Sequence, residues 1–187
     1  MEIVAILVLF AVIVLYIINL YNSLVAKRNQ VSSVEASVDA QLKRRYDLLP
    51  NLVSSVIQYL THERSVLEKI TELRTQAQNA SSKEQKFELN GQISSLLPSI
   101  KAAFEAYPDL KANQNILHLQ ESLNEIEEQI SAARRAYNSA VERYNNAVEM
   151  FPSNIIANSM KFEKAVFFNI PEEETKVHNV GELFKRS

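Results

Sequence analysis

The opening stretch, MEIVAILVLFAVIVLYIINLY, constrains this chain more than any other. From Ile3 to Ile18 it runs through sixteen consecutive apolar residues, and Leu20 and Tyr21 extend the run. As a helix, residues 1–21 span roughly 30 Å, the thickness of a bilayer's hydrocarbon core. Thirteen of the sixteen are Ile, Val, Leu or Phe and none is charged. Insertion into lipid is therefore favourable by about 4–8 kcal/mol. A buried strand would be far shorter. The competing reading is a cleaved signal peptide, and three features oppose it. No basic segment precedes the run, its length exceeds a usual apolar leader core, and Ser23-Leu24-Val25-Ala26 is a poor small-x-small cleavage site. The expectation is a retained transmembrane helix over 1–21, in contact with membrane lipid. Only Glu2 precedes it, whereas Lys27, Arg28, Lys43, Arg44 and Arg45 follow. The positive-inside rule then puts the N-terminus outside and the C-terminal domain in the cytoplasm, with a periplasmic or extracellular domain as the alternative.

About 165 residues remain, enough for one domain with a core of its own. With 20 basic against 22 acidic side chains, the charge balance gives no reason to expect a nucleic-acid partner. Cysteine is absent, which excludes disulfides, thiol nucleophiles and thiolate metal sites. The only glycines are Gly91 and Gly181, too few for a phosphate-cradling loop, and no cofactor is expected.

The rest reads as helix. Apolar spacing continues from the anchor through Val31, Val34, Val38 and Leu42 to about Arg45. Asp47 and Pro50 then predict a tight turn at 46–50, with a kink as the alternative. A second helix carries Leu52, Val53, Val56, Tyr59, Leu60, Leu67, Ile70 and Leu73, to about Gln78. Ser82 and Gln85 form a capping box for a third, with Phe87, Leu89, Ile93, Leu96, Leu97, Ile100 and Phe104. Gly91 and Pro98 weaken that helix, and a kink is expected at Pro98. After Tyr107-Pro108-Asp109, a fourth helix over 111–150 carries a seam of alternating three- and four-residue steps: Ile116, Leu119, Leu123, Ile126, Ile130, Ala133, Tyr137, Ala140, Tyr144, Ala147, Phe151. Phe151-Pro152 ends it. A short amphipathic segment follows over 153–168, and 169–187 is a charged tail with little to bury. The expected fold is all-α: an N-terminal single transmembrane helix continuing into an antiparallel up-down four-helix bundle over 22–152. That topology would bring the turns at 43–51 and 105–115 together, away from the bilayer. It would return the end of the fourth helix to lipid, with Phe151 and 160–168 in the interface.

Four phrases carry a resemblance: YNSLVAKRNQV (21–31), QLKRRYDLLPNLV (41–53), YPDLKANQNILHLQ (107–120) and ARRAYNSAVERYNNAVEMFP (133–152). In that order behind a membrane span, they resemble the LemA family over about residues 1–168. The resemblance implies a helical protein anchored in the bacterial inner membrane. Relatives include a magnetosome membrane protein, and neighbouring genes often encode an HtpX-type membrane metalloprotease. The chain departs from the family pattern where a glycine is expected near the final aromatic segment, around Met160-Lys161-Phe162.

Two groups of polar residues stand out. Lys43, Arg44, Arg45 and Asp47, with Asp109, Lys111, Asn113 and Asn115, could form a polar surface that grips a partner. The plainer reading is that the acids cap helices and the bases neutralise helix dipoles. Tyr137-Asn138 and Tyr144-Asn145 repeat at seven residues and echo Tyr21-Asn22. With Arg28, Asn29 and Arg134 they are expected to make polar contacts between helices. His62-Glu63 lacks the second histidine of a zinc motif, since residue 66 is valine, and His118 and His178 stand alone. Glu127-Glu128 reads as a solvated helix face. No catalytic or metal residue is assigned. The expected function is a non-enzymatic membrane scaffold that binds other proteins or itself. The alternative is an accessory subunit of a membrane enzyme such as an HtpX-type protease or an envelope-stress system.

Overall fold

A computed structural model describes residues 1–57, 59–60 and 63–168, without the side chains of Asp109 and Lys111. The expected charged tail at 169–187, and with it His178 and His62, lie outside the described residues. The chain is all-α: α1 Glu2–Val56, α2 Arg64–Gln78, α3 Lys83–Ala106, α4 Pro108–Lys111, α5 Gln114–Glu149 and α6 Ser153–Ser159. The helices after α1 pack antiparallel. Among the described residues, α1 is the one helix long and apolar enough to cross a membrane, and its large side chains from Ile3 to Ile18 are exposed.

The reversal expected at 46–50 does not occur there. α1 passes through Pro50 and continues to Val56, so Leu52, Val53 and Val56 belong to it and the next helix begins at Arg64. Proline lacks an N–H and so leaves the carbonyl four residues earlier without its helical donor. That carbonyl is Tyr46's, and Arg74 Nε of α2 donates to it at 2.7 Å. The Pro50 ring faces outward. A long-range guanidinium thus replaces the missing bond, and Asp47, exposed in mid-helix, caps nothing. One cue to the true break was available: the apolar steps skip positions 63–64, occupied by Glu63 and Arg64.

The other boundaries follow local signals. Ser82 Oγ accepts from the Gln85 N–H at 3.2 Å, while Gln85 Oε1 accepts from the Ser81 N–H, one residue before the expected place. Helix α3 retains both Gly91 and Pro98. Asn113 Oδ1 accepts from the Asn115 N–H at 3.0 Å and so caps α5. Along α5 the seam is buried at Ile116, Leu123, Ile126, Ile130, Tyr137, Ala140 and Tyr144, as the spacing predicts, but Phe151 is 79% exposed.

After α6 the chain is extended, not an amphipathic helix. Lys161 stands at φ 54, the Phe162 N–H donates to Ala157 O at 2.9 Å, and the Lys161 N–H donates to Asn158 O at 3.3 Å. This is the Schellman ending, whose left-handed residue is usually glycine. The segment around Met160-Lys161-Phe162, where the family resemblance implies a glycine, thus contains a residue, Lys161, whose backbone favours one.

By contacts the chain divides into two compact units. The first comprises Met1–Gln41 and Gln129–Phe167; the second comprises Leu42–Glu128 and the segment from Phe168. Both α1 and α5 contribute to each.

Candidate functional site

In the second unit, a charged side chain is completely buried. Arg45 on α1 has 0% exposure among Leu42, Leu49, Ile93 and Leu97 of the same core. Its helical position puts it on the inward face, three residues after Leu42 and four before Leu49. Arg45 Nη1 donates to Ser94 Oγ at 2.8 Å and to Glu127 Oε1 at 2.9 Å. Arg45 Nη2 donates to the backbone carbonyl of Asn90 at 3.2 Å and to its Oδ1. Ser94 Oγ in turn donates to Glu127 Oε2 at 3.0 Å. Asn90 Nδ2 donates to Tyr46 Oη and to Lys86 O. One cation and one carboxylate thus close a network over α1, α3 and α5. Glu127 keeps 27% of its side chain in contact with solvent, which moderates the desolvation cost of the pair.

Arg45 was expected beside the 109–115 group. Instead, its acidic partner lies thirteen residues beyond Gln114 on α5, about 20 Å away along the helix. The 107 end of α3 meets the turn before α2, where Tyr107 Oη donates to Glu63 Oε2 at 3.4 Å. Loss of solvation first, and the Glu63 carboxylate second, hold the Tyr107 hydroxyl above its ordinary range. Lys43, Arg44 and Asp47 are exposed on α1, and the side chains of Asp109 and Lys111 lie outside those described. Asn113 is a cap and Asn115 donates to it, a role the plainer reading gave to the acids Asp47 and Asp109 instead. The solvated reading of Glu127-Glu128 is corrected for Glu127 and holds for Glu128, which is exposed. Asn90, Ser94 and Glu127 were missed, because single polar residues in amphipathic helices carry no periodic signal.

In the first unit, the heptad-spaced tyrosines of α5 serve a different purpose. Tyr137 Oη donates to Val166 O at 2.9 Å, and Tyr144 Oη donates to Glu163 O at 2.8 Å. Asn145 closes a two-point bond with Ala165: its Nδ2 donates to the carbonyl at 2.9 Å and its Oδ1 accepts from the N–H at 2.8 Å. Residues 162–166 therefore form an extended strap antiparallel to α5, satisfied by side chains where a strand would use a neighbouring backbone. Helix α1 holds the other side of the strap. Tyr21 meets Phe162 edge to face at 6.0 Å, and the Arg28 guanidinium lies 5.1 Å from the Phe162 ring centre. Glu149 and Lys164 form an ion pair. Burial raises the pKa of Tyr144 above 10.0, Arg28 opposes the rise and Glu163 adds to it. Of the residues expected to make polar contacts between helices, Tyr137, Tyr144 and Asn145 bond to the strap, and Tyr21 and Arg28 pack on the Phe162 ring. Asn22 and Asn29 are exposed, and Arg134 and Asn138 are half-buried.

Among the described residues, no three His, Asp or Glu side chains come together as a metal site would require. His118 is exposed, 3.4 Å from Glu121.

Three of the phrases supply Tyr21, Arg28, Arg45, Tyr137, Tyr144 and Asn145 to the two polar centres, while Asn90, Ser94, Glu127 and the strap lie outside them. The chain is 27% identical over 163 residues to Protein LemA of Metamycoplasma hominis, covering 87% of this chain and 74% of that one. The family pattern of LemA matches residues 34–181, most of the chain, and the protein belongs to the LemA family.

Proposed function

We propose that this protein is a non-enzymatic scaffold, anchored by α1 in a bacterial inner membrane, whose helical part binds other proteins or further copies of itself. The observation that carries the reading is the continuity of α1. The same helix presents exposed apolar residues from Ile3 to Ile18 and then, without a break, buries Leu24, Val31 and Val38 in the first unit. An anchor joined in this way cannot swing independently of what it carries, which suits a fixed platform at a bilayer. The polar centres support it too: Arg45, Asn90, Ser94 and Glu127 bond to one another, and Tyr137, Tyr144 and Asn145 bond to the strap. Lys43 and Asp47, one turn apart and exposed on α1, are the residues offered to a partner.

Lys27 and Arg28, close behind the span, favour a cytoplasmic location for the helical part. A reporter fused after Ser187, active in one compartment only, tests this; periplasmic activity reverses the orientation. Crosslinking of the full-length protein in membranes is expected to trap defined partners or multiples of the chain. A strictly monomeric, partnerless protein, or a mature chain beginning near Lys27, defeats the proposal.

A further inference from the structure

The corner between α5 and α6 is unusual for a water-facing surface. Met150, Phe151, Ile155 and Met160 are all more than half exposed. From Met150 to Met160 the eleven residues MFPSNIIANSM include no charged side chain, whereas Glu149 and Lys161 bracket them on either side. An uncharged, apolar, exposed turn of this kind calls for a covering surface.

Its place within the first unit indicates which surface. The Schellman bond from Phe162 to Ala157 ties the end of α6 to the strap. Phe162 packs between Tyr21 and Arg28 of α1, and the pairs Lys164–Glu149 and Ala165–Asn145 hold the last turn of α5 to the same strap. Tyr21 closes the apolar run of α1, where an aromatic side chain marks the level of lipid headgroups. Met160 stands two residues before Phe162, at most about 7 Å of chain, and α6 adds about 10 Å of rise, so the corner lies close to that level. Through Phe162 the corner is thus tied to the end of the apolar run of α1.

We infer that Met150, Phe151, Ile155 and Met160 bed into the leaflet next to Tyr21 and give the protein a second lipid contact beside its anchor. Lys161, at the rim, can extend its ammonium group to headgroup phosphates while its stem lies on the apolar side. This rests on α1 being retained in the bilayer, and the test separates the two claims.

The absence of cysteine allows single-cysteine variants of the full-length chain to carry a nitroxide without further changes. Phe10→Cys reports the anchor, Ile155→Cys and Met160→Cys report the corner, and Glu142→Cys reports an exposed site on α5. In vesicles of phosphatidylethanolamine and phosphatidylglycerol, collision rates with oxygen and with a water-soluble nickel chelate measure depth. The ratio of oxygen to nickel collisions at Ile155→Cys and Met160→Cys is expected to exceed that at Glu142→Cys severalfold, placing both labels about 5–10 Å into the headgroup–acyl boundary. If Phe10→Cys lies in lipid while both corner labels lie in water, the second contact is wrong and the anchor stands. If Phe10→Cys also lies in water, the anchor itself fails. Oxidative crosslinking of Ile155→Cys between chains would show that another copy covers the corner and would overturn the inference. All four sites are exposed, so helix content should match the parent, and two independent corner positions guard against one disturbed variant.

Discussion

The two units secure their helices with opposite chemistries. In the second, one buried guanidinium is answered by specific side chains: Asn90, Ser94 and Glu127 must each stand where they do. In the first, Tyr137, Tyr144 and Asn145 bond to the backbone at Val166, Glu163 and Ala165, so the clasp reads the path of the strap and not its residues. A side-chain network fixes register, because sliding one helix by a turn, about 5.4 Å, would strand a buried charge. A backbone clasp fixes only conformation and can open locally without exposing a charge. The second unit should therefore fail as a whole when its polar centre is damaged, whereas the first should fray.

Replacing Arg45 tests the larger half of that contrast. Arg45→Ala leaves a cavity, strips Asn90 O and Oδ1 of the guanidinium donor and Glu127 of its cation, and should cost about 3–5 kcal/mol in urea unfolding of the full-length protein in detergent. The double variant Arg45→Met, Glu127→Leu removes both charges and should recover much of the loss. If the double is no better than Arg45→Ala, the unpaired charge is not what the network guards against.

Asn145→Ala should be milder and confined to the strap, about 1–3 kcal/mol, since it leaves both polar groups of Ala165 without partners. Hydrogen exchange should speed up at 161–166 with little change in α2 and α3; a global loss would erase the distinction between the units.

Lys161→Gly should act in the other direction. A non-glycine residue held at φ 54 is strained by about 1 kcal/mol, which glycine relieves. The transition of the first unit should rise by a corresponding few degrees.

The smallest effect concerns pH. The Tyr144 pKa is raised in the folded protein, so below pH 10.0 both folded and unfolded forms carry the proton and the clasp is intact. Above it the unfolded chain releases the proton first, and stability falls as pH rises through the folded pKa. An ionised Tyr144 also cannot donate to Glu163 O. Tyr144→Phe should abolish this alkaline component, read as the pH dependence of strap exchange.

The helices were largely legible because their signals are local. Ser82 with Gln85 and Asn113 with Asn115 are neighbours in sequence, and the α5 seam from Ile116 to Tyr144 needs only its own spacing. The heptad-related tyrosines were visible as a contact face, but what they touch was not. The strap has no periodicity of its own, and the cue that something unusual lies there was an absent glycine.

By itself, the sequence determined the parts that short-range physics controls: an apolar run long enough for a bilayer, the caps, and the face each helix turns inward. Tertiary structure alone decided that α1 runs through Pro50, that Arg45 is buried, and that residues 162–166 are bound as a strap. Each of those depends on a donor or acceptor remote in the chain, Arg74 for the Tyr46 carbonyl, Glu127 for Arg45, and Asn145 for Ala165. A proline breaks a helix, and a charge avoids a core, only where no partner arrives to satisfy the group left bare.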